Sequence, residues 1–434
     1  MLLPVVDAVK VLQCEQLFSF GQRKNKMEKI PDSIFTESNQ FLGERHSQHM
    51  VAYPAELTDD DLPFDSIKTK DNILYVHIPF CTGKCTYCSY VTKSTNDQAE
   101  IDTYIDYLER EAKLLNQYAT KPQIKSIYIG GGTPSMLSIA QLGRLYEILY
   151  SSFDLSNIEE FSLEGCPETF SKEKAVFSKS QGINRASIGV ESFDDEILTK
   201  MNRRHLCIDS IKAIDQIQCS GLELDIDLIT CYPGYNKEKI YKDIEYIVKH
   251  QPTSVSLYRY TVKPSSVDYK HHDNLLSRQQ VLEQSYIWYN ELKKIYHQRN
   301  VDWFFVDADK RFIHQEHKLS GKSNHIVLGV SGYGIIGDTQ YYNTKSVFEY
   351  YKKLKNFNLP VEKKQRLSKD DLVKRTLMFQ IRGSIPATFV FPEPKKIQYL
   401  MKHNLLDLSD NQYKLSLSGQ LFITEIQEYL SEAS

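Results

Sequence analysis

The sequence lacks any long apolar segment. No stretch reaches the roughly 18 consecutive apolar residues that a membrane-spanning helix needs. The apolar start MLLPVVDAVKVLQ is interrupted by Asp7 and Lys10, and it has neither a positively charged leading region nor a small-residue cleavage site. We therefore expect a cytoplasmic chain that has no signal peptide and makes no contact with a membrane.

An excess of charge of one sign is also missing. The chain has 53 Lys and Arg against 56 Asp and Glu, which gives a formal net charge of −3. Because a strongly basic surface is what attracts nucleic acid, this balance predicts no nucleic-acid partner. The 41% of hydrophobic and 25% of charged residues are ordinary for a globular protein, and 434 residues allow roughly two or three domains.

Cysteines are few and unevenly spread. Three of the eight lie close together, at Cys81, Cys85 and Cys88, and the others are scattered. This is not the spacing of a secreted disulfide framework, and in a cytosolic chain it indicates metal binding. The scattered cysteines are interpreted as ordinary small side chains: Cys14, Cys166, Cys207, Cys219 and Cys231.

From residue 72 onward, short β-rich runs alternate with helical patterns. The runs are NILYVHI (72–78), IKSIYI (124–129), EEFSLE (159–164), NRASIGV (184–190), LELDIDLI (222–229) and SVSLYRY (254–260). The helical patterns between them include Ile101–Tyr118, Ile139–Tyr150 and Lys237–Lys249. Six such units predict an α/β fold with a parallel sheet, closed or partly closed into a barrel, whose chemistry lies at the carboxyl ends of the strands.

The rest of the chain divides into three parts around this barrel, which is expected at 71–310. Residues 1–70 are polar and weakly periodic, and they are expected to form an extension over the active site. Residues 311–364 contain the Gly-rich LGVSGYGIIGD and are expected to close the barrel. Residues 365–434 start with Ser368 as a helix N-cap and then alternate helix, strand and helix, which predicts a small winged-helix-like domain with a structural or substrate-covering role.

The segment YVHIPFCTGKCTYC follows directly on the first predicted strand. Its cysteines have the spacing C-x3-C-x2-C, and thiolates are the usual ligands of iron–sulfur clusters. Three thiolates would hold three irons of a cubane and leave the fourth iron open. Structural zinc is the alternative, but it needs four ligands, and no fourth Cys or His follows at a finger-like spacing. His77 is interpreted as a packing residue.

Further motifs follow the later strands. The glycines of GGGTPS (130–135) would let the backbone approach a ligand closely. Glu164 in LEGCPE, Glu191 in GVES and Asp227 in DIDLI stand at or near strand ends, and Arg203 lies in a helical stretch after the fourth strand. A carboxylate at a strand end can hold a ribose or an ammonium group, although a solvated acidic side chain is the simpler interpretation of each one alone.

Taken in this order, the motifs resemble the oxygen-independent coproporphyrinogen III oxidase-like group of radical S-adenosylmethionine (SAM) proteins. The resemblance covers most of the chain from about residue 52 and includes VAYPAEL and LGVSGYGIIGDTQYYN. It implies a partial (β/α)6 barrel, a [4Fe-4S] cluster on the three cysteines and, in several members, two SAM molecules bound together. An electron passed into SAM would release methionine and a 5′-deoxyadenosyl radical.

The resemblance also implies binding roles for individual residues, while it leaves the catalytic residues unknown. Positions that match contacts to the cluster-bound SAM are Tyr75, Tyr87, Gly131, Glu164 and Tyr333. Positions that match contacts to the second SAM are Gly132, Thr133, Glu191, Arg203, Asp227 and Thr261.

Three positions depart from the oxidase pattern. Tyr90 stands where the oxidase has another cysteine, Glu191 replaces a glutamine, and Tyr232 with Pro233 replaces Leu-Pro. The leading hypothesis is therefore radical C-methylation of an sp2 carbon in an aromatic or tetrapyrrole-like small molecule. Four residues near strand ends are candidates to contact such a substrate, as aromatic walls or as an anion contact: Tyr232, Tyr258, Tyr260 and Arg259.

Two alternatives stay open at this point. One is oxidative decarboxylation of a porphyrinogen side chain, and the other is a non-catalytic heme chaperone on the same scaffold. Any radical chemistry would also need an electron donor such as flavodoxin as a partner.

Overall fold

The computed structural model describes residues 62–270 and 275–432. Most of the extension expected at 1–70, including Cys14 and VAYPAEL, lies outside the described residues. Within those residues, no helix is both long enough and apolar enough to cross a membrane.

Strands and helices alternate through the first two thirds of the described chain. The strands are β1 Asn72–Ile78, β2 Phe80–Cys81, β3 Lys93–Ser94, β4 Ser126–Gly131, β5 Glu160–Gly165, β6 Arg185–Glu191, β7 Glu223–Thr230, β8 Ser254–Arg259, β9 His297–Gln298, β10 Trp303–Phe305, β11 Asn324–Leu328, β12 Tyr333–Ile336, β13 Thr339–Asn343, β14 Val361–Arg366, β15 Ser384–Pro386, β16 Leu406–Ser409 and β17 Gln412–Leu415. The helices are α1 Gln98–Leu115, α2 Ile139–Ser152, α3 Lys172–Ser180, α4 Asp195–Lys200, α5 Cys207–Cys219, α6 Lys237–His250, α7 Arg278–Leu292, α8 Ile313–Ser320, α9 Val347–Lys355, α10 Lys369–Gln380, α11 Pro394–Lys402, α12 Leu417–Leu421 and α13 Ile423–Ser431.

The six predicted strands form the centre of the main sheet. They lie side by side in the order β1-β4-β5-β6-β7-β8, and each neighbouring pair is parallel. Parallel strands that are covered on both faces read as nearly continuous apolar runs, which is why the sequence locates them within about two residues. The predicted α/β fold with a partial (β/α)6 barrel is confirmed.

The sheet extends beyond these six strands at both edges. On one side β11 pairs with β1 in parallel, and β12, β13 and β14 follow as antiparallel neighbours. On the other side β10 and β9 continue antiparallel from β8. The segment expected to close the barrel at 311–364 therefore contains four strands and two helices, whereas the sequence predicted only a Gly-rich stretch there.

The helices start at side chains that satisfy their free backbone N–H groups. The Asp97 carboxylate accepts from two backbone N–H groups at the start of α1, and Ser138 and Gln141 form a reciprocal capping box at α2. Ser368 caps α10 in the same way with Asp371, which confirms the N-cap predicted from the sequence.

The C-terminal helices surround a three-stranded antiparallel sheet with the order β15-β17-β16. This part of the chain packs against the β8 side of the barrel. The guanidinium of Arg382 pairs with Asp302, and Arg259 donates from Nη2 to the carbonyl oxygen of Leu421 at 3.0 Å. Arg259 is thus directed toward α12, so its predicted role as an anion contact in the pocket is wrong.

Candidate active site

The three motif cysteines lie in a loop beyond the carboxyl end of β1. All three are free and only half-buried. The loop is tied down by residues that follow α4: Thr86 donates its N–H to the carbonyl of Met201 at 3.1 Å, and the Asn202 amide donates to the carbonyl of Lys84 at 2.8 Å. The loop that carries the three cysteines is therefore held in place by hydrogen bonds to the segment that follows α4.

The donor set of this loop suits an iron–sulfur cubane. Its ligand atoms are three sulfurs, which is the ligand chemistry that such clusters use. Among residues 62–270 and 275–432, no group of three or more His, Cys, Asp or Glu side chains is placed to hold a single metal ion. A cubane binds its thiolates through different irons, so its ligands need not meet at one point. Burial raises the pKa of the Cys81 thiol to about 11, so a metal would be needed to hold its thiolate form near neutral pH.

The glycines that end β4 lie directly beneath this loop. A Cβ on Gly132 would stand 3.0 Å from Cys81 Sγ and would collide with the carbonyl oxygen of Phe80. Gly131 has φ of +118°, a conformation that favours glycine. The N–H groups of Gly132 and Thr133 donate to the carbonyls of Ile78 and Phe80, both at 2.7 Å. A side chain at Gly132 would therefore prevent this contact between the two motifs.

Glu164, at the end of β5, lies next to the same glycines. Its carboxylate accepts from the N–H of Gly131 at 3.0 Å and from the phenol of Tyr128. Burial raises the pKa of Glu164, while these two donors act in the opposite direction. The carboxylate is thus oriented by its neighbours.

Arg203 is a buried guanidinium at the centre of the site. It donates from Nη2 to the carbonyl oxygen of Gly189 at 2.6 Å, and its Nη1 lies 3.4 Å from Cys85 Sγ and 3.5 Å from Glu191 Oε1. Tyr87 donates its phenol proton to the same oxygen of Glu191 at 2.9 Å. Glu191 itself has φ of +63° where the pairing of β6 with β7 shifts register, and this bend turns its side chain toward Arg203.

Asp227 completes the acidic side of the site from β7. It accepts from the Ser187 hydroxyl at 2.9 Å. Burial raises its pKa strongly, and the nearby carboxylates of Asp225, Glu164 and Glu191 add to this effect. A neutral Asp227 could donate a hydrogen bond, for example to a hydroxyl group of a ligand.

The remaining predicted residues lie around this centre. The Tyr75 phenol is 3.1 Å from Nδ1 of His77, whose pKa burial lowers to about 4, in keeping with its interpretation as a packing residue. Thr261 follows β8 and is half-buried. Tyr333, on β12, donates to Gln340 at 3.1 Å and so lies toward the extended edge of the sheet.

The cysteine loop, the glycines, Glu164, Glu191 and Arg203 are joined by direct contacts.

Cys166 is a residue that sequence reasoning missed. Its sulfur lies 3.6 Å from the Thr133 hydroxyl, as does that of Cys81, and 3.4 Å from Arg203 Nη2. Burial raises the pKa of Cys166 to about 12, so near neutral pH it is a thiol. Its position directly after β5, where other site residues follow strands, was the available signal.

Two tyrosines expose large surfaces near the carboxylates. Tyr90 is 67% exposed and Tyr258 is 44% exposed. The negative charge of Asp227 is among the causes that raise the pKa of both phenols. By contrast, Tyr232 and Tyr260 pack on each other with ring centroids 4.7 Å apart, and Tyr260 donates to Asp268 at 2.8 Å. Of the three tyrosines proposed as walls, only Tyr258 has a large exposed surface.

A family model described as the radical SAM superfamily matches residues 75–247. The chain contains a radical SAM domain. This domain runs from β1 into α6 and holds the cysteine loop, the glycines and the buried Arg203. The radical SAM family implies a [4Fe-4S] cluster and SAM, and the three sulfurs described above fit the cluster.

The relatives are tetrapyrrole-related proteins. A heme chaperone HemW from Buchnera aphidicola is 33% identical over 205 residues, which are 46% of this chain and 54% of that protein. An oxygen-independent coproporphyrinogen III oxidase from Helicobacter pylori is 28% identical over 348 residues, which are 74% of each chain. The chain is homologous to both groups, although the matches span about half the length of the first HemW relatives.

A solved structure agrees on the fold. Coproporphyrinogen III oxidase (HemN) from Escherichia coli superposes with a TM-score of 0.75, covering 85% of this chain and 92% of the other at 23% identity. At this identity the likeness establishes the fold, and the reaction has to be argued from the site.

Proposed function

We propose that this chain is a radical SAM enzyme that oxidatively decarboxylates a side chain of a carboxylate-bearing tetrapyrrole. The observation that carries the proposal is that one end of the barrel brings the three thiols, Glu164, Arg203 and Asp227 together. The names of the relatives, a heme chaperone and a coproporphyrinogen oxidase, support the substrate class. Nothing in the family match or in these relatives supports methyl transfer, so oxidation takes precedence over the C-methylation favoured by the sequence.

The cluster would be held by Cys81, Cys85 and Cys88. When bound, it would supply the electron that cleaves SAM. The glycine segment lets the cysteine loop pack directly on β4, since a side chain at Gly132 would collide with Phe80 and Cys81, and so it fixes where these thiols lie. Glu164, oriented by Tyr128 and by the Gly131 N–H, would hold the ammonium or ribose of the cluster-bound SAM, and Tyr75, Tyr87 and Tyr333 are proposed to assist.

A second SAM would lie on the β6–β7 side. Its proposed contacts are Gly132, Thr133, Glu191, Arg203, Asp227 and Thr261. Asp227, whose raised pKa favours the neutral acid, could donate to a ribose oxygen. Arg203 would bind the carboxylate of this second SAM, although Glu191 already lies beside its guanidinium.

The substrate would lie against Tyr90 and Tyr258. A flat macrocycle needs broad apolar surfaces, and aromatic rings provide these together with a polar hydroxyl at one end. The exposure of both rings among carboxylates favours this location. Tyr90, at the position of the additional oxidase cysteine, would then contact the substrate.

The test is an anaerobic reaction with coproporphyrinogen III, a one-electron reductant and SAM that carries a trideuterated methyl group. Oxidative decarboxylation removes one hydrogen atom from a propionate, breaks its bond to the carboxylate and releases carbon dioxide, and the remaining electron passes to a one-electron acceptor, such as an oxidised flavin or quinone, that is added to the mixture. We expect 5′-deoxyadenosine and an unlabelled product that has lost carbon dioxide. A product with deuterium in a new methyl group would restore the methyltransferase hypothesis.

Heme chaperone activity is the second candidate, favoured by the HemW relatives. It predicts stoichiometric heme binding and transfer to an acceptor protein without consumption of coproporphyrinogen III. Heme binding that persists in a C81A/C85A/C88A variant, together with absent turnover in the wild type, would favour the chaperone over the oxidase.

A further inference from the structure

Helix α8 packs across the barrel opening opposite the cysteine loop. Its first N–H, from Ile313, donates to the Glu160 carboxylate at 2.7 Å, and Nδ1 of His314 lies 2.9 Å from the Ser126 hydroxyl. Glu160 and Ser126 are the first residues of β5 and β4, so α8 begins at the amino ends of the strands. The helix also packs against β1 and α10. The inward face of α8 is thus the floor of the barrel interior.

Lys318 lies one turn after His314 on this inward face, because residues four apart share a helix face. Within residues 62–270 and 275–432, its ammonium has neither a hydrogen-bond nor an ion-pair partner. The pKa of Lys318 is lowered to about 8, mainly by burial and also by the charge of Arg375, while Glu164 acts in the opposite direction. The side chain is nevertheless partly accessible. The ammonium is therefore not in open solvent, and the charges that act on it are those of Arg375 and Glu164.

His325, on β11, packs against His314 on the same face of α8. Its side chain is only 3% exposed, and neither of its ring nitrogens has a hydrogen-bond partner in the described part of the chain. The ring centroid lies 5.5 Å from that of His314 and 6.3 Å from that of Tyr75. Burial and the nearby Lys318 keep its pKa well below the usual range, so the ring is neutral and retains one N–H to donate. Leaving such a group without a partner is costly, which suggests that a ligand or water satisfies it.

We propose that Lys318 and His325, with Arg375 behind them, form an anion-binding subsite that receives one carboxylate of the substrate. This inference rests on the proposed function, in which the substrate is a carboxylate-bearing tetrapyrrole. Lys318 and Arg375 are both cations, so their charges favour an anion at this position. Glu164, which faces Lys318 from above, is already bonded to Tyr128 and the Gly131 N–H. The subsite would hold the macrocycle by its periphery, with the ring between the floor and the cysteine loop.

The experiment compares two forms of one ligand. Coproporphyrin III carries four carboxylates, and its tetramethyl ester carries none, so fluorescence titrations of both under anaerobic conditions isolate the contribution of charge. We expect Lys318→Gln to weaken coproporphyrin III binding by about 10- to 100-fold, as for loss of a hydrogen-bonded charged partner. Binding of the ester should be unchanged. Lys322→Gln, at an exposed lysine just beyond α8, is the matched control and should bind both ligands as the wild type does.

Lys318→Arg separates charge from packing, since it keeps the cation and should restore most of the affinity for coproporphyrin III. Equal affinity of wild type and Lys318→Gln for coproporphyrin III would overturn the subsite and leave the proposed function standing. An Arg variant as weak as the Gln variant would also overturn it, because positive charge would then not be the determinant. Wild-type protein that binds the acid no better than the ester would overturn the subsite alone, whereas protein that binds neither ligand would overturn the subsite and the tetrapyrrole proposal together.

Discussion

Arg203 Nη1 lies 3.5 Å from Glu191 Oε1, and both side chains are almost fully buried. The family resemblance places a neutral glutamine at the position of Glu191 and assigns Arg203 to the carboxylate of a second SAM. In this chain the guanidinium already faces a carboxylate of its own, which Tyr87 also orients. A SAM carboxylate would therefore have to compete with Glu191, and occupancy of the second site should depend on the charge at that position.

The first prediction tests this competition. Glu191→Gln should tighten binding of the second SAM by about tenfold, because it removes one negative charge and frees a charge-assisted hydrogen bond of Arg203. Equilibrium dialysis of SAM against reconstituted protein measures both binding events. Arg203→Ala in the Glu191→Gln background should abolish the gain. If Glu191→Gln tightens binding equally with and without Arg203, the two residues are not coupled.

The second prediction concerns the cluster. Anaerobic reconstitution should give about four irons and four sulfides per chain, because a cubane has that content. A C81A/C85A/C88A variant should retain none, whereas Cys166→Ala should retain all of it, since Cys166 is expected to remain a thiol. Iron and sulfide analysis, with EPR before and after SAM addition, checks both. Loss of the cluster on replacing Cys166 would identify it as a ligand.

Most of the barrel could be predicted from sequence, for a physical reason. Buried parallel strands must be apolar on both faces, so β1 and β4 to β8 appear as compact β-rich runs. The strands β11 to β14 did not stand out, because Gly, Tyr and polar residues dilute their pattern. The pairing of β11 with β1 joins residues about 250 positions apart, and no local pattern encodes such a contact.

The site residues also divide into those that could be predicted from sequence and those that could not. Residues within short motifs, such as the cysteines, the glycines and Arg203, were predictable because their spacing reflects the chemistry. Lys318 was not predictable, and Cys166 only from its position after β5, since the importance of both depends on which side chains the fold brings near them. The direction of the Arg259 side chain could not be predicted either, because it depends on where the C-terminal part of the chain packs.

The third prediction is a pH dependence of ligand binding at the barrel floor. Lys318, with its pKa of about 8, should lose its proton between about pH 7 and 9, so affinity for coproporphyrin III should fall across this range. His314 and His325 are already neutral in this range, so neither imidazole should titrate there. Lys318→Arg should give a flat profile over the same range. An equally steep decline in that variant would assign the effect to another group.

The fourth prediction concerns Glu111, a buried carboxyl on α1 that fastens the segment at 311–364 to the barrel. It accepts from the Gly329 N–H at 2.7 Å, the Tyr350 hydroxyl at 2.6 Å and the Asn343 amide at 3.0 Å. Burial raises its pKa to about 7, against an ordinary value of 4.5. Between these values the folded state holds a proton that the unfolded state has released. Stability should therefore fall as pH rises from about 4.5 to 7, by ~3 kcal/mol for this group, and then level off.

Denaturant midpoints measured from pH 4.5 to 8 test this prediction. Glu111→Gln should flatten the dependence of stability on pH, because an amide does not titrate. Its altered hydrogen bonds would lower stability equally at every pH and so would not change this slope. Some slope should remain from Asp243, a second buried carboxyl whose pKa burial raises to about 7. The matched control is Glu109→Gln on the same helix, where a half-buried carboxylate pairs with Lys113 and Arg144 at the surface, an interaction that contributes little to stability. A Glu111→Gln profile as steep as that of this control would show that Glu111 is already ionised in the folded protein at low pH.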